Sequence, residues 1–299
     1  RRVRRAPAAT RAPDDRSAHP PAGVTLTHAD KLYFPEAKVT KQALARYYEE
    51  MAPTMLPYYA GRPLSLMRCP EGWTGQCFYQ KNASAHVDAA VARVKVTTST
   101  GAATYMSAKT ARALAALVQW GVIELHPWGG RTPRLHLCDT LVFDFDPHES
   151  VRWRTLVEGV EVLRTLFDDL GLTGFLKTTG GKGLHLVVPV RPALAWAKAK
   201  AFAKGVATLL ARTFPQRFTA TLAKDQRDGR IFIDWLRNGE GATSVGPYSV
   251  RARRNAPVAT PIAWDELGID VRFDHFNIGN VRQRVRAIGD PWAGYSVTR

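Results

Sequence analysis

Apolar residues recur three or four positions apart in several segments of the chain, which is the spacing that gathers side chains on one face of a helix. The helices predicted in this way are one that begins near Thr40, Ala108 to Val122, Trp153 to Leu170, and Trp196 to Arg212. Gly171 follows the third of them, where glycine commonly ends a helix.

Strands are predicted where apolar residues alternate with polar ones or form short continuous runs. The predicted strands are VTLTHA from Val24, Leu64 to Arg68, Cys77 to Gln80, VARVKVTT from Val91, LHLCDTLVFDFDP, two within FLKTTGGKGLHLVVPV, and one in RIFIDWLRN that ends in a charged turn. Hairpins as well as helices join these strands. The order therefore predicts an α/β fold with a mixed or antiparallel sheet, and not a succession of βαβ units.

The first 22 residues differ from the rest of the chain. They are rich in Arg, Ala and Pro and have no apolar period, a composition that predicts a disordered linker or tail. Residues 23–299 are predicted to form the folded domain. A chain of 299 residues with 45% hydrophobic content has room for one large domain or for two lobes around a cleft.

The charge of the chain is strongly positive, because 42 Lys and Arg residues outweigh 26 Asp and Glu residues and give +16. Such an excess favours a polyanionic partner, since each cation placed against a phosphate releases condensed counterions. The chain has no long uninterrupted apolar run and no pattern of a secretory signal. We therefore expect a soluble protein that is neither membrane-bound nor secreted.

The three cysteines, Cys69, Cys77 and Cys138, are odd in number and contain no CxxC spacing. Neither a disulfide framework nor a cysteine zinc site is predicted from them. We expect all three to be reduced and buried, as suits a cytosolic protein.

Two carboxylates end the apolar run of LVFDFDP. Asp144 and Asp146 are two positions apart on a predicted strand, which places both on one face while Phe145 packs on the other. Like charges this close repel, so a divalent cation between them is the simplest explanation. The alternative is the end of a strand with two solvated acids.

A third acid, Asp234, stands at the polar end of the apolar segment RIFI. Together with the first two it can form the three-carboxylate site of two-metal nucleotidyl transfer, in which one ion activates the attacking hydroxyl and the other holds the triphosphate. By itself, Asp234 fits a structural ion pair equally well.

The segment TTGGKGLH is a glycine-rich turn that carries Thr179, Lys182 and His185. Backbone N–H groups in such a turn can face phosphate oxygens, with the lysine adding a point charge. The segment matches neither GxxxxGK[ST] nor GxGxxG. An ordinary hairpin with an exposed lysine is the alternative.

Taken together, the DxD pair, the glycine loop ending in KGLH and the IDW tripeptide resemble the three motifs of the archaeo-eukaryotic primase superfamily. They are most similar to those of the polymerase domain of bacterial ATP-dependent DNA ligase D, which acts in non-homologous end joining. The resemblance runs from about Val24 to Arg286, and its further blocks are THADKLYFP, GRPLSLMRCPEG, FYQKN, ELHPW, DWLRN and PYSVRAR. It implies a primase-polymerase fold with two lobes around a basic active-site cleft.

The resemblance also implies roles for individual residues. Asp144, Asp146 and Asp234 are implied to bind the catalytic metals. The residues implied to bind the nucleotide are Thr179, Lys182, His185, Arg251, His126, Arg237, Phe78 and Tyr79, the last two by facing the bases. Lys31 and Lys41 are implied to bind the 5′-phosphate on the downstream side of a gap or break. The alternative interpretation of His126 and His185 is that they are hydrogen-bonded residues of the core. The alternative for Lys31 and Lys41 is that they are ordinary solvated lysines.

This family membership would imply template-dependent addition of ribo- or deoxyribonucleotides to DNA 3′ ends, with two Mn²⁺ or Mg²⁺ ions as cofactors and pyrophosphate as the leaving group. The implied partners are nucleoside triphosphates, DNA with gaps, overhangs or breaks and a 5′-phosphate, the ligase and nuclease domains of the same polypeptide, and the bacterial end-binding Ku protein. A cytoplasmic, nucleoid-associated location in a bacterium is expected.

Three other functions are compatible with parts of the sequence. A stand-alone primase-polymerase would share every motif above. A phosphatase of the haloacid dehalogenase class also places a DxD after an apolar strand, but it needs Thr or Val two positions beyond the second Asp, where His148 stands. A non-catalytic nucleic-acid-binding module explains the charge but not the buried strands that end in acids.

Overall fold

The computed structural model describes residues 19–98, 101–268, 271–272 and 275–295. Most of the predicted tail, residues 1–18, lies outside these ranges. Its last residues belong to the folded part, because Pro21–Gly23 forms a 3-10 turn in which Pro21 is buried. The Ala22 N–H donates to the Glu49 carboxylate at 2.7 Å. Ordered contacts therefore begin before the predicted boundary at residue 23.

The four predicted helices lie close to their predicted positions, and a fifth, near the end of the described residues, was not predicted. They are α1 (Lys41–Tyr59), α2 (Ala111–Gln119), α3 (Trp153–Asp169), α4 (Trp196–Thr213) and α5 (Val281–Ile288). The Thr40 hydroxyl accepts a hydrogen bond from the Ala43 N–H and so caps α1 at the predicted start. Helix α2 is shorter than predicted, because Thr110 caps its start and Gly121, with a φ of +88°, follows its end. None of the described helices has the length and apolar character needed to cross a membrane.

The strands are β1 (Leu32–Phe34), β2 (Val39–Thr40), β3 (Leu64–Arg68), β4 (Phe78–Gln80), β5 (Ala92–Thr98), β6 (Gly101–Ser107), β7 (Val122–Pro127), β8 (Leu137–Pro147), β9 (Phe175–Thr178), β10 (Leu184–Ala195), β11 (Phe218–Thr219), β12 (Ile231–Asp234) and β13 (Pro261–Ile262). The strand predicted at residues 24–29 is wrong. The backbone turns there, because the Thr27 N–H donates to the Gln119 side chain and His28 has a φ of +50°.

Two larger sheets and one small hairpin organise these strands. The six-stranded sheet has the order β11-β12-β8-β10-β9-β13, and the other has the order β4-β3-β6-β5 with β7 paired to β3. Strands β1 and β2 form the hairpin. The pair β11–β12 is parallel and the other pairs are antiparallel. The predicted α/β fold with mixed and antiparallel sheets is confirmed.

Strand β8 separates two hydrophobic cores. Its residues Phe143 and Phe145 are buried in the core that contains α3 and α4. Val142, on the opposite face, is buried in the core that contains α1 and α2. Since side chains alternate along a strand, Asp144 and Asp146 continue the Val142 face beyond the point where this second core covers it. Burial of the phenylalanines thus fixes the direction in which both acids point.

The expected reduced state of all three cysteines is wrong for two of them. Cys69 and Cys77 form a disulfide, with their Cα atoms 4.4 Å apart, while Cys138 is free and buried. The turn between β3 and β4 brings the two sulfurs together, and the Gly72 N–H donates to the Cys69 carbonyl within it. A separation of eight residues carries no motif, so only the hairpin geometry reveals the pairing.

Candidate active site

A row of four polar side chains crosses the six-stranded sheet. In the antiparallel register, Asp234 on β12 lies opposite Asp144 on β8, Asp144 lies opposite His185 on β10, and His185 lies opposite Lys177 on β9. Directly opposed residues point to the same face, with Cβ atoms about 4.5–5.5 Å apart. Two predicted acids and one predicted histidine are therefore immediate neighbours, although 90 positions separate Asp144 from Asp234 in the sequence.

Cations of the protein surround the carboxylates. Arg237, in the 3-10 turn Trp235–Asn238, places its Nε 3.3 Å from Asp144 Oδ2 and 3.1 Å from Asp234 Oδ2. Asp146, one row further along β8, contacts Lys182 Nζ at 3.1 Å and Arg227 at 3.7 Å. The site therefore concentrates negative charge and neutralises it with flexible cationic side chains.

The electrostatic environment differs between the two opposed acids. Burial alone would raise the pKa of Asp144, but His185, Arg237 and Lys177 outweigh it and hold the pKa well below its usual range. Burial and the neighbouring Asp144 carboxylate raise the pKa of Asp234, against the opposing influence of Arg237. This is the behaviour of two carboxylates that share one site.

The donor atoms suit a hard divalent cation, since Mg²⁺ and Mn²⁺ prefer carboxylate oxygens. Within the described ranges, however, no three His, Cys, Asp or Glu side chains are gathered closely enough to hold an ion in this conformation. The reason is visible in the contacts: Arg237 lies between Asp144 and Asp234, and Asp146 is turned toward Lys182. An ion held by both Asp144 and Asp234 would have to displace the Arg237 guanidinium.

We expect Arg237→Gln to bind Mn²⁺ more tightly than the unaltered chain, by roughly tenfold, because the ion no longer displaces a charge-assisted contact worth about 1.5–3 kcal/mol. Titration of free Mn²⁺ by electron paramagnetic resonance measures this affinity. Arg212→Gln, at an exposed position on α4, is the matched control and should leave it unchanged. Unchanged or weaker Mn²⁺ binding by Arg237→Gln would show that the guanidinium does not compete for the site.

The glycine loop is held directly against β8. Gly180 has a φ of +62°, and a Cβ on Gly183 would lie 2.3 Å from the Phe145 carbonyl oxygen, so both positions require glycine. Thr179 is buried, and its hydroxyl donates to the Gly183 carbonyl at 3.0 Å while accepting from the Gly181 N–H at 3.2 Å. The Thr179 hydroxyl thus shapes the loop from within. Lys182 is more than half exposed and reaches into the cleft.

A second buried ionic group lies beside the loop. His126 Nε2 is 2.7 Å from Glu124 Oε2, and Arg251 Nε is 3.0 Å from the same oxygen without the angle of a hydrogen bond. Arg251 also donates to the Thr179 carbonyl at 2.6 Å. Although burial opposes ionisation, His126 and Arg251 lower the pKa of Glu124 to about 2. Glu124 therefore carries a negative charge that anchors both predicted nucleotide-binding residues.

The two predicted aromatic residues lie in different places. Tyr79 lines the cleft, and its ring packs edge-on against His126 with centroids 5.4 Å apart. Phe78 does not line it, since neighbouring residues on a strand point to opposite faces. The Arg68 guanidinium lies 5.3 Å from its ring centroid. The structure thus places Tyr79, and not Phe78, in the cleft.

Lys31 and Lys41 lie side by side at the open end of the β1–β2 hairpin. The Lys41 N–H donates to the Lys31 carbonyl at 2.8 Å. Lys31 Nζ contacts the Glu71 carboxylate and the Pro70 carbonyl. Lys41 is buried, its Nζ donates to the Thr27 carbonyl at 3.0 Å, and burial with the nearby Lys31 lowers its pKa to about 8. Lys41 is therefore not an ordinary solvated lysine.

Of the site residues predicted from the sequence, all except Phe78, Lys31 and Lys41 border one cleft. Its volume is about 730 Å³, within the range of about 300–1,000 Å³ typical of ligand sites. It is lined by the three acids, the glycine loop, Tyr79, His126, His185, Arg237 and Arg251.

The sequence alone did not identify Glu124, Lys177, Arg227 and Arg253. Only Glu124 had a usable signal, since it precedes His126 by two positions and so shares its strand face.

Comparison with known proteins gives one family. The sequence model described as the primase-polymerase domain of LigD matches residues 40–292. The multifunctional non-homologous end joining protein LigD of Pseudomonas aeruginosa is 37% identical over 280 residues, which are 93% of this chain and 33% of that protein. The protein of the same name from Mycolicibacterium smegmatis is 34% identical over 269 residues, 89% of this chain and 35% of that protein. The chain thus spans about a third of the length of these relatives.

A solved structure gives the same result in three dimensions. The polymerase domain of Mycobacterium tuberculosis ligase D in complex with DNA superimposes with a TM-score of 0.85 at 34% sequence identity. The match covers 90% of this chain and 96% of that one.

Proposed function

The chain belongs to the LigD primase-polymerase family, and from this we propose that it is a template-dependent polymerase that adds ribo- or deoxyribonucleotides to DNA 3′ ends at gaps and double-strand breaks. Membership of the family makes it a nucleotidyltransferase-type enzyme. The observation that best supports the proposed polymerase activity is that Asp144 and Asp234 lie directly opposite one another. Asp146 lies on the same face, beside the glycine loop.

The residues present fit two divalent ions as cofactors. When bound, such ions favour ionisation of the attacking 3′-hydroxyl and stabilise the leaving pyrophosphate. Asp144 and Asp234 would hold the ions from neighbouring strands, and Asp146 would complete the set once its contact with Lys182 is exchanged for one with metal. Arg237, which contacts Asp144 and Asp234, would be released when those two carboxylates hold metal and could then contact the substrate.

The chain itself supplies the positive charge that a triphosphate needs. Lys182, Arg227 and Arg253 line the cleft, and the last lies against the glycine loop, 3.6 Å from where a Gly181 Cβ would be. Arg251 shapes the floor of this region through Glu124 and the Thr179 carbonyl. Tyr79, 56% exposed, offers an aromatic face on which a base can stack regardless of sequence.

The proposed partners follow from the relatives' names and the charge of the chain. The relatives are named multifunctional non-homologous end joining proteins, and the matched structure is a complex with DNA. We propose that this chain acts on gapped, overhanging or broken DNA with a 5′-phosphate, together with ligase and nuclease domains of the same polypeptide and the end-binding Ku protein. A cytoplasmic, nucleoid-associated site of action is part of the same proposal.

The decisive experiment is primer extension on a templated gap that carries a 5′-phosphate, with Mn²⁺ or Mg²⁺ and either ribo- or deoxyribonucleotides. Nucleotide addition that follows the template base is the expected result. A matched substrate without a template strand shows whether the base opposite directs the choice. No addition with either metal would overturn the proposed activity and leave a nucleic-acid-binding module.

Affinity for DNA should fall steeply with salt. For every tenfold increase in salt concentration, the logarithm of the binding constant falls by about 0.9 for each duplex phosphate that a lysine or arginine neutralises. With a net charge of +16, we expect a slope that corresponds to several such contacts. Fluorescence anisotropy with labelled DNA over a series of salt concentrations measures the slope. A binding constant independent of salt would contradict an electrostatic interface.

A further inference from the structure

Two buried polar atoms in the row across the six-stranded sheet have no hydrogen-bond partner among the described residues. They are Nζ of Lys177 and Nδ1 of His185. Both side chains are almost fully buried, with 1% and 3% of their surfaces exposed. Leaving a buried donor or acceptor unpaired is destabilising, so two such atoms at adjacent positions require an explanation.

The chemistry of the two atoms is complementary. His185 Nε2 lies 3.3 Å from Asp144 Oδ1, and a carboxylate oxygen accepts a hydrogen bond, which assigns the ring proton to Nε2. Nδ1 is then an acceptor. The Lys177 amine is a donor in either protonation state and has no acceptor of its own.

The sheet register places the donor next to the acceptor. His185 and Lys177 are directly opposed on β10 and β9, so both side chains leave the same face. His185 lines the active-site cleft, and Lys177 lines an adjoining cavity of about 40 Å³ that shares Arg237 with the cleft. That volume is enough for a water molecule, which needs roughly 10–15 Å³ by the same measure.

We propose that Lys177 is a positioning residue that donates a hydrogen bond to His185 Nδ1, directly or through one water molecule, and so holds the imidazole with its Nε2 proton on Asp144. The chain Lys177–His185–Asp144 would fix the orientation of a carboxylate that holds metal. This inference depends on the proposed function only through that role of Asp144.

The electrostatics agree with this arrangement. A neutral ring suits this position, because the Nδ1 of a charged imidazole would be a second buried donor beside the unpartnered Lys177 amine. Burial, together with the Arg251 guanidinium, lowers the pKa of Lys177 to about 7. Such a partner for a ligand-orienting histidine is a common feature of metal sites, and its loss typically costs about 10- to 100-fold in metal affinity or activity.

The test uses ring ¹⁵N signals, which report the proton and the hydrogen bond of each imidazole nitrogen. The 299-residue chain is labelled in its eight histidines, and the His185 signals are identified by their absence from His185→Gln. In the unaltered chain we expect a proton on Nε2 and a hydrogen-bonded acceptor at Nδ1. A proton on Nδ1, or the signal of an acceptor without a partner, would overturn the proposal without requiring any variant of Lys177 to fold.

Two substitutions then separate hydrogen bonding from charge. Lys177→Met keeps the length of the side chain but has no donor, so the Nδ1 signal should move to that of an unpaired acceptor. Lys177→Gln keeps an N–H donor without the charge, and it should retain the bonded signal. An unchanged signal in Lys177→Met would overturn the proposal. A shift in both variants would assign the effect to charge and would also overturn it.

Catalysis provides the second measurement. Lys177→Met should lower kcat by about 10- to 100-fold with little change in the KM for nucleotide, and Lys177→Gln should recover part of the loss. Lys198→Met, at an exposed position on α4, is the control and should change neither kcat nor the His185 spectrum. Should the chain lack polymerase activity altogether, the ring spectra still decide the hydrogen bond, so the two failures are distinguishable.

Discussion

Nucleotide addition should fall by at least about 10³-fold when Asp144, Asp146 or Asp234 is replaced by alanine. Each change would remove a proposed ligand of metal ions that lower the barrier by several kcal/mol, and about 1.36 kcal/mol corresponds to a factor of ten. The measurement is the single-turnover rate of extension at saturating Mn²⁺. DNA binding should largely survive, because the excess of positive charge extends well beyond these three residues.

Thermal unfolding separates loss of chemistry from loss of the fold. Asp234 lies opposite Asp144 with like charge, so its removal should leave the melting temperature nearly unchanged. Removal of Asp144 should lower the melting temperature while keeping one cooperative transition, because His185, Arg237 and Lys177 stabilise its ionised form. The control is Asp168→Ala, which removes an exposed acid on α3 that pairs only loosely with Arg164, at 3.8 Å. An alanine variant that extends primers at the rate of the unaltered chain would remove that residue from the metal site.

The elements that carry the site were predictable because their signals are local. The apolar run before Asp144 predicts a buried strand, and alternation along it fixes the face of both acids. The Thr40 cap that begins α1 was visible in the same way. By contrast, the predicted strand at residues 24–29 failed, because a partner 92 positions away, Gln119, holds the backbone in a turn.

The groups that the sequence did not reveal depend on register between distant strands. Lys177 belongs to the row of four polar side chains only because β9 pairs with β10 at one particular offset, and a shift by one residue would turn it to the other face. The Cys69–Cys77 disulfide likewise requires the hairpin that closes between them. Glu124 is recognisable as an anchor only when Arg251, 127 positions later, is seen beside it.

The second large effect is expected for the binding of DNA with a recessed 5′-phosphate. Recognition of this group distinguishes a break-repair polymerase from a general primase. Lys31 and Lys41 meet where α1 begins, and a helix N-terminus already favours an anion. A terminal phosphate carries more charge than an internal one, so a binding pocket formed by these two lysines and the helix end should prefer it to continuous backbone. Gapped DNA with a 5′-phosphate should therefore bind more tightly than the same DNA with a 5′-hydroxyl.

Replacing both lysines by glutamine removes the charges but keeps polar side chains with about half of each aliphatic stem, which matters because Lys41 is buried. The double variant should bind phosphorylated gapped DNA about 10- to 100-fold more weakly, as loss of charge-assisted hydrogen bonds predicts, and should no longer distinguish the two substrates. Glu71→Gln should have the opposite effect, since it releases Lys31 from its present carboxylate partner. Fluorescence anisotropy at fixed salt measures all of these affinities.

Lys38→Gln is the matched control, because it removes an exposed charge from the same hairpin without touching the pocket. It should lower affinity for both substrates equally and keep the difference between them. Extension by the Lys31→Gln/Lys41→Gln variant on a gap without a 5′-phosphate should match that of the unaltered chain, since its carboxylates are intact. If the unaltered chain binds both substrates equally, or if the double variant still prefers the phosphorylated one, the pocket lies elsewhere and the assignment to end joining loses its support from these two residues.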